Sequence, residues 1–258
     1  MIMGEIKEQS PDIAVLVEYY KFENDHECFT KSLEKEGFTV FCDSRKPERR
    51  EKNQVLIAVS DKFDVNSGFI VKTISNKSTS KDPIPDYLQV TLSIDNQQVA
   101  IVGVRFIPRT GNIEKQLSVL KECLESTRND KVVCLGDFNA WSSNLLNEYG
   151  ALLPKNYKIE TPGLYKSRQG EYKNSWGFEK KEPLNWSFVQ EKKEETSKKP
   201  KRTPLDHLMT RNVEVTGIKY AGWPFLNEEN GYGSLTPDDY KDVDYLPDHD
   251  ILLATIQV

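Results

Sequence analysis

Carboxylate and amide side chains recur where the apolar runs of this 258-residue chain end. Glu18 closes IAVLVE, and Asp137 closes KVVCLGD with Asn139 two residues further on. Asp206 stands in TPLDHLMT, and Asp248 and His249 directly precede the terminal ILLATIQV. A single carboxylate at a strand end is commonly no more than a cap. Several of them, at ends that a layered sheet can bring together, have the makings of a site. The residue types suit hydrolysis of a phosphoester. A hard cation such as Mg²⁺ takes oxygen ligands, keeps several waters and needs only one or two carboxylates beside the substrate phosphate. It neutralises charge on the leaving oxygen. A further carboxylate can orient and deprotonate the attacking water. An imidazole paired with a carboxylate has a fixed tautomer or stays protonated beside phosphate. An amide near the phosphorus stabilises the charge that builds up in the transition state.

Each of these residues also has a plainer reading. Glu18 fits a solvent-facing strand end. GDFN fits a turn, since Gly, Asp and Asn all favour turns. Of the three histidines, His207 follows Asp206 and on a strand points to the opposite face, which reads as structural. His26 lies near a helix start and reads as solvent-exposed. His249, beside Asp248, is the histidine whose setting suggests catalysis.

The elements that must position these groups alternate along the chain. Residues 2–9 have the pattern of a helix, stopped by Ser10-Pro11-Asp12. IAVLVE is a short continuous apolar run and reads as a buried strand. Asn24 or Asp25 is placed to cap a helix carrying Phe29 and Leu33 on one face and closed by Gly37. FTVFC and QVLIAVS follow as strands. Leu88, Val90, Leu92 and Ile94 alternate up to Asp95-Asn96, which turns into VAIVGVRF as a hairpin. Ile113, Leu117, Leu120 and Leu124 recur at helical spacing. KVVCLGD, NWSFV, LDHLMT, VEVTGIKY and ILLATIQV complete the strands, with loops and short strands expected over 150–185. The charge run EKKEETSKKPKR at 191–202 reads as a solvated loop rather than a grip on phosphates. Strand and helix interleaved in this way favour a layered α/β domain, and no linker or repeat divides the chain, so we expect one domain over 1–258.

Bulk properties set bounds. The net charge of −5 gives no basic face of the kind that marks nucleic-acid binders, so any such role rests on local patches. No apolar run approaches a bilayer span. The start, MIMGEIKEQSPD, has no signal-peptide pattern, so the expected compartment is the cytoplasm. Cys28, Cys42, Cys123 and Cys134 form no CxxC pair, which argues against zinc.

GDFNAW at 136–141, PLDHLMT at 204–210 and PDHDILLA at 247–254 resemble the signature blocks of the endonuclease/exonuclease/phosphatase superfamily. PDIAVLVEYY resembles its strand that ends in a metal-binding glutamate. The resemblance runs in register from residue 11 to the C-terminus. It implies a four-layer α/β sandwich, two packed mixed β-sheets flanked by helices, and hydrolysis of a phosphodiester with Mg²⁺ or Mn²⁺. DNA or RNA is the leading substrate. A phosphomonoesterase or phospholipase of the same superfamily is the first alternative, and a catalytically impaired nucleic-acid or phosphate-binding module is the second. By resemblance, Glu18 and Asp248 are metal ligands and Asp137 positions the nucleophilic water. Asn139 helps to hold that water and the phosphate. His249 contacts the phosphate, Asp206 orients His249, and Trp186 lines the cleft. No obligate protein partner and no membrane is implied.

Two features depart from the superfamily pattern. Deoxyribonuclease-like members carry a histidine where VAIVGVRF has Arg105. Arginine is no acid at neutral pH; we expect Arg105 to point into the cleft and hold substrate phosphate by forked hydrogen bonds, a salt bridge to a neighbouring carboxylate being the plainer alternative. The superfamily also has a first core strand ending in Trp-Asn, whereas this sequence starts inside what resembles the following helix. An added strand of that kind is therefore expected to raise both stability and activity.

Overall fold

The Asp95-Asn96 turn sets the register of the larger sheet. Both residues have left-handed backbone, φ 48° and 63°. A two-residue type I′ hairpin requires that conformation, and Asn and Asp tolerate it. The computed structural model describes residues 2–20, 23–42, 53–63, 72–74, 85–107, 113–140, 149–160, 165–166, 172–173, 206–221 and 251–258. In chain order the elements are α1 (Ile2–Gln9), β1 (Ile13–Tyr20), α2 (Glu23–Lys35), β2 (Phe38–Cys42), β3 (Asn53–Ser60) and β4 (Lys72–Ile74). Then come β5 (Asp86–Ile94), β6 (Gln97–Arg105), α3 (Ile113–Glu125), β7 (Lys131–Asp137), a short 3-10 turn (Gly150–Leu152) and β8 (Lys158–Glu160). β9 (Tyr165–Lys166), β10 (Tyr172–Lys173), β11 (Asp206–Arg211), β12 (Glu214–Ala221) and β13 (Ile251–Gln257) complete the series.

The chain divides into two compact units: one of Met1–Glu160, Leu205–Val215 and Ile256–Val258, the other of Thr161–Pro204 and Thr216–Thr255. The first holds two sheets. Six strands run in the order β4-β5-β6-β7-β11-β8, and three in the order β1-β3-β2. β6 and β7 are parallel, which needs a crossover connection, and α3 supplies it. The other described pairings are antiparallel in both sheets, so the larger sheet is mixed and the smaller antiparallel. In the second unit the described residues form the β9–β10 ladder and most of the β12–β13 pair, where Thr216 Oγ1 donates to the Thr255 carbonyl at 3.3 Å.

Alternation along the strands sorts the first unit into four layers. Ala100, Val102, Val104, Val132, Cys134 and Met209 face Leu117, Leu120 and Leu124 of α3, all essentially buried. The opposite face of β6 meets the smaller sheet. A Cβ added at Gly103 would collide with Val55 Cγ1 and stand 2.8 Å from Val15 Cγ1, so this glycine permits the close approach of the two sheets. On the far side, Leu56 and Ala58 pack against Ile6 of α1 and Leu33 of α2. The order is helices, three strands, six strands, helix: the α/β sandwich expected from the sequence. Each fully buried leucine in these layers contributes about 2 kcal/mol of transfer free energy.

Most expected elements stand where the sequence places them. β4, a three-residue strand with no periodicity to betray it, was not anticipated. α2 begins at Glu23, so Asn24 and Asp25 fall in its first turn rather than capping it. Gly37, at φ 80°, closes that helix, its N–H donating to Glu34 at 3.0 Å. Among the described residues no helix is long and apolar enough to cross a membrane.

Candidate active site

Strand register assembles a row of ionisable side chains. Asp86 lies opposite Arg105 across β5–β6, Arg105 opposite Asp137 across β6–β7, and Asp137 opposite Asp206 across β7–β11. Residues directly opposite share a face, and Arg105 is two positions from Gly103, so the row lies on the face turned toward the smaller sheet. Asp86, Arg105, Asp137 and Asp206 are all nearly buried, at 6, 8, 3 and 7% exposure. Among the described residues, three carboxylates of the row confront one guanidinium.

The smaller sheet delivers a fourth carboxylate. Leu16 pairs with Leu56 and Tyr19 with Gln54, so β1 carries one extra residue between these pairs. Such a bulge reverses the facing of the residues beyond it. Glu18 sits in it with left-handed backbone, φ 56°. Without the bulge Glu18 would share the helix-side face of Leu16; with it, the carboxylate turns inward. Arg105 Nε donates to Glu18 Oε1 at 2.8 Å, and Nη2 donates to the same oxygen. Nη1 reaches Asp86 Oδ2 at 3.4 Å. Arg105 thus makes the ion pair that was the alternative to its expected place on the substrate phosphate. Among the described residues no hydrogen bond to Glu18 Oε2 occurs, and the Glu18 side chain is 47% exposed.

The GDFN segment is built to fix Asp137. Gly136 has φ 146°, and a Cβ there would overlap the carbonyl oxygen of Val104, so only glycine lets β7 run this close to β6. Asn139 has left-handed backbone, φ 45°. Its N–H donates to Asp137 Oδ1 at 2.8 Å, and its Nδ2 donates to Asp137 Oδ2 at 2.6 Å and to the Phe106 carbonyl at 2.7 Å. Phe106 N–H in turn donates to the Asp137 carbonyl at 2.7 Å. Both amide hydrogens of Asn139 are therefore committed within the protein. Asn139 thus holds Asp137, and among the described residues its Oδ1 accepts no hydrogen bond.

His207 braces the turn from behind. It is fully buried, its Nε2 stands 2.8 Å from the Ala140 carbonyl, and its ring meets Phe138 edge-on at 5.6 Å. Burial pushes its pKa below 6.5, against the opposing pull of the Ala140 bond and of Asp206. The ring is neutral and carries its proton on Nε2, which donates to Ala140. A depressed histidine pKa means that the unfolded chain binds the proton more readily. Stability is therefore lost as pH falls from 6.5 toward the lower folded-state value, and is fully present above 6.5. Thermal melts over that range should show a steeper acid-side loss for the native chain than for His207→Gln; parallel curves would remove His207 from the acid response.

Glu18, Arg105, Asp137, Asn139 and Asp206 thus gather within the first unit, although no three His, Cys, Asp or Glu side chains among the described residues close around one point as a metal cage. Trp186, Asp248 and His249 lie outside the described residues, and with them the expected Asp206–His249 bond. Asp86 is the residue that sequence reasoning missed. His26 was expected to be exposed; instead it is half-buried, because Tyr19 takes its Nδ1 at 2.7 Å.

No protein-family profile matches the chain, and no curated protein matches it by sequence. Solved structures do. TDP2 from D. rerio, complexed with single-strand DNA product, superposes with a TM-score of 0.61 at 12% identity, covering 100% of this chain and 90% of that one. ANGEL2, a 2',3'-cyclic phosphatase in complex with adenosine-2',3'-vanadate, gives 0.57 at 17% identity over 99% and 84%. The human Nocturnin catalytic domain with bound sulfate gives 0.55 at 18% identity over 88% and 79%. The chain accordingly has the deoxyribonuclease I-like fold of the endonuclease/exonuclease/phosphatase superfamily, to which these three proteins belong.

Proposed function

We propose that this chain is a divalent-metal-dependent phosphoester hydrolase that cleaves phosphodiesters of nucleic acid, DNA or RNA. The observation that carries the reading is the Asp137–Asn139 turn. A nearly buried carboxylate, beside a second one at Asp206, has both oxygens fixed by a single asparagine. Asp137 is the base that orients and deprotonates the attacking water, and Asn139 sets its angle. Preorganisation of that kind avoids rearrangement at the moment of reaction. Asp206 and His249 complete the acid–base set, with Trp186 lining the substrate cleft.

The residues present fit a hard cation. Glu18 offers an oxygen donor, Oε2, on a half-exposed side chain whose other oxygen is anchored by Arg105, and Asp248 is the second proposed ligand. A bound Mg²⁺ or Mn²⁺ would withdraw charge from the phosphoester oxygens. Arg105 positions Glu18, and any contact it makes to substrate competes with that ion pair. The likeness to TDP2 with its DNA product, and to ANGEL2 with its adenosine ligand, favours a nucleic-acid substrate. A cytoplasmic setting accords with that reading.

The deciding assay measures turnover of single-stranded DNA, an RNA oligonucleotide, bis-p-nitrophenyl phosphate and p-nitrophenyl phosphate, with Mg²⁺, Mn²⁺ or chelator. Diester cleavage that chelator abolishes and either metal restores is the expected result. Full activity after exhaustive chelation would remove the metal. Turnover of the monoester alone would move the protein to the phosphomonoesterases, and none with any substrate would leave a binding module.

A further inference from the structure

On the helix side of the smaller sheet, away from the Asp137 turn, β1, α2 and β2 bring three reactive groups together. Cys42 Sγ stands 3.9 Å from His26 Nε2, and His26 Nδ1 stands 2.7 Å from the Tyr19 hydroxyl. The ring of Tyr19 lies 5.8 Å from those of both His26 and Phe29, which holds the imidazole between α2 and β1. Cys42 and His26 are half-buried. A thiol, an imidazole and an orienting hydroxyl in series form a nucleophile–base arrangement: one ring nitrogen faces the sulfur while the other is fixed by its partner.

A fourth residue on this face points to what the site accommodates. Gln54 lies opposite Tyr19 on β3, two residues from Leu56, which lies opposite Cys42. Alternation therefore puts Gln54 on the same face as Cys42 and Tyr19. It is only 7% exposed, and among the described residues its Oε1 has no hydrogen-bond partner. A buried acceptor without a donor is costly. It is relieved when a group bearing an O–H is placed on this face.

We propose that Cys42 is a peroxide-reactive thiol, activated by His26 and Tyr19, whose sulfenic acid form is held on this face. The thiol proton passes to His26 Nε2, and the thiolate attacks one oxygen of hydrogen peroxide. The S–O bond forms as the O–O bond breaks; sulfur is oxidised by two electrons and the peroxide is reduced. The departing hydroxide takes the proton from His26 and leaves as water. The product hydroxyl forms on the face that also carries the Gln54 acceptor. This step is independent of phosphoester chemistry.

The other cysteines of the same chain serve as internal references. Cys28 is exposed on α2 and Cys134 is buried, its thiol pushed up by desolvation. The full chain is treated with hydrogen peroxide and dimedone, or with iodoacetamide alone, and labelling at each cysteine is followed by mass spectrometry. Cys42 is expected to label at least about tenfold faster than Cys28 despite its lower exposure, since the thiolate is the reactive form. His26→Gln should bring Cys42 down to the rate of Cys28 or below. Tyr19→Phe, which keeps the ring packing, should slow it by a smaller factor. Cys42 labelling no faster than Cys28, or a rate unchanged in both folded variants, would overturn the proposal.

Discussion

Asp137→Asn should lower turnover of a nucleic-acid phosphodiester by at least about a hundredfold, the range expected when a positioned base is removed. The replacement has nearly the same shape and cannot accept the proton. Part of its structural cost falls on the contact with Asn139. Asp137 receives two donors from Asn139, at 2.8 and 2.6 Å, and an amide can accept only one of them. The second becomes a donor facing a donor, which costs about 1–3 kcal/mol. The variant should therefore fold and melt a few degrees lower, with the loss of rate far exceeding the loss of stability. Near-normal turnover in Asp137→Asn, combined with a collapse in Asp206→Asn, would transfer the base to the neighbouring carboxylate across β7–β11.

How far the sequence reveals this site depends on how local each determinant is. Glu18, Asp137 and Asp206 are legible because each borders an apolar run, and runs of that kind survive in almost any tertiary context. The GDFN turn is legible for a similar reason: Gly136 and Asn139 adopt backbone that their side chains favour. What is not legible requires two distant segments. The Arg105–Glu18 pair spans 87 residues and two sheets, and it forms only because a bulge turns Glu18 inward. Sequence alone left Arg105 open between phosphate and carboxylate. The commitment of Asn139 to the Phe106 carbonyl depends on the parallel β6–β7 register, which no local pattern encodes. Asp86 is different, because its signal was available. A two-residue turn at Asp95-Asn96 fixes every pair of the hairpin, and counting back from Ile94↔Gln97 sets Asp86 opposite Arg105.

Arg105→Ala should destabilise the chain by about 3–5 kcal/mol, the range for removing one member of a buried ion pair. The cost falls mainly on Asp86. Its side chain is 9% exposed and that of Arg105 10%, so the carboxylate would lose a charged partner in a nearly dry setting beneath the smaller sheet. Glu18, at 47% exposure, recovers its hydration and adds little. For a chain of this size the melting temperature should fall by roughly 10 °C. The double variant Arg105→Met, Asp86→Leu should recover most of that loss, because replacing both partners with apolar groups of similar volume removes both charges together. If the double variant melts as low as Arg105→Ala, the destabilisation comes from lost packing or from Glu18 rather than from Asp86. Kinetics separate the remaining role. A guanidinium engaged with Glu18 and Asp86 contributes by holding Glu18, so its removal should lower kcat and weaken Mg²⁺ activation together. A variant that keeps its melting temperature and its metal response, and whose KM alone rises, would instead place Arg105 on the substrate phosphate.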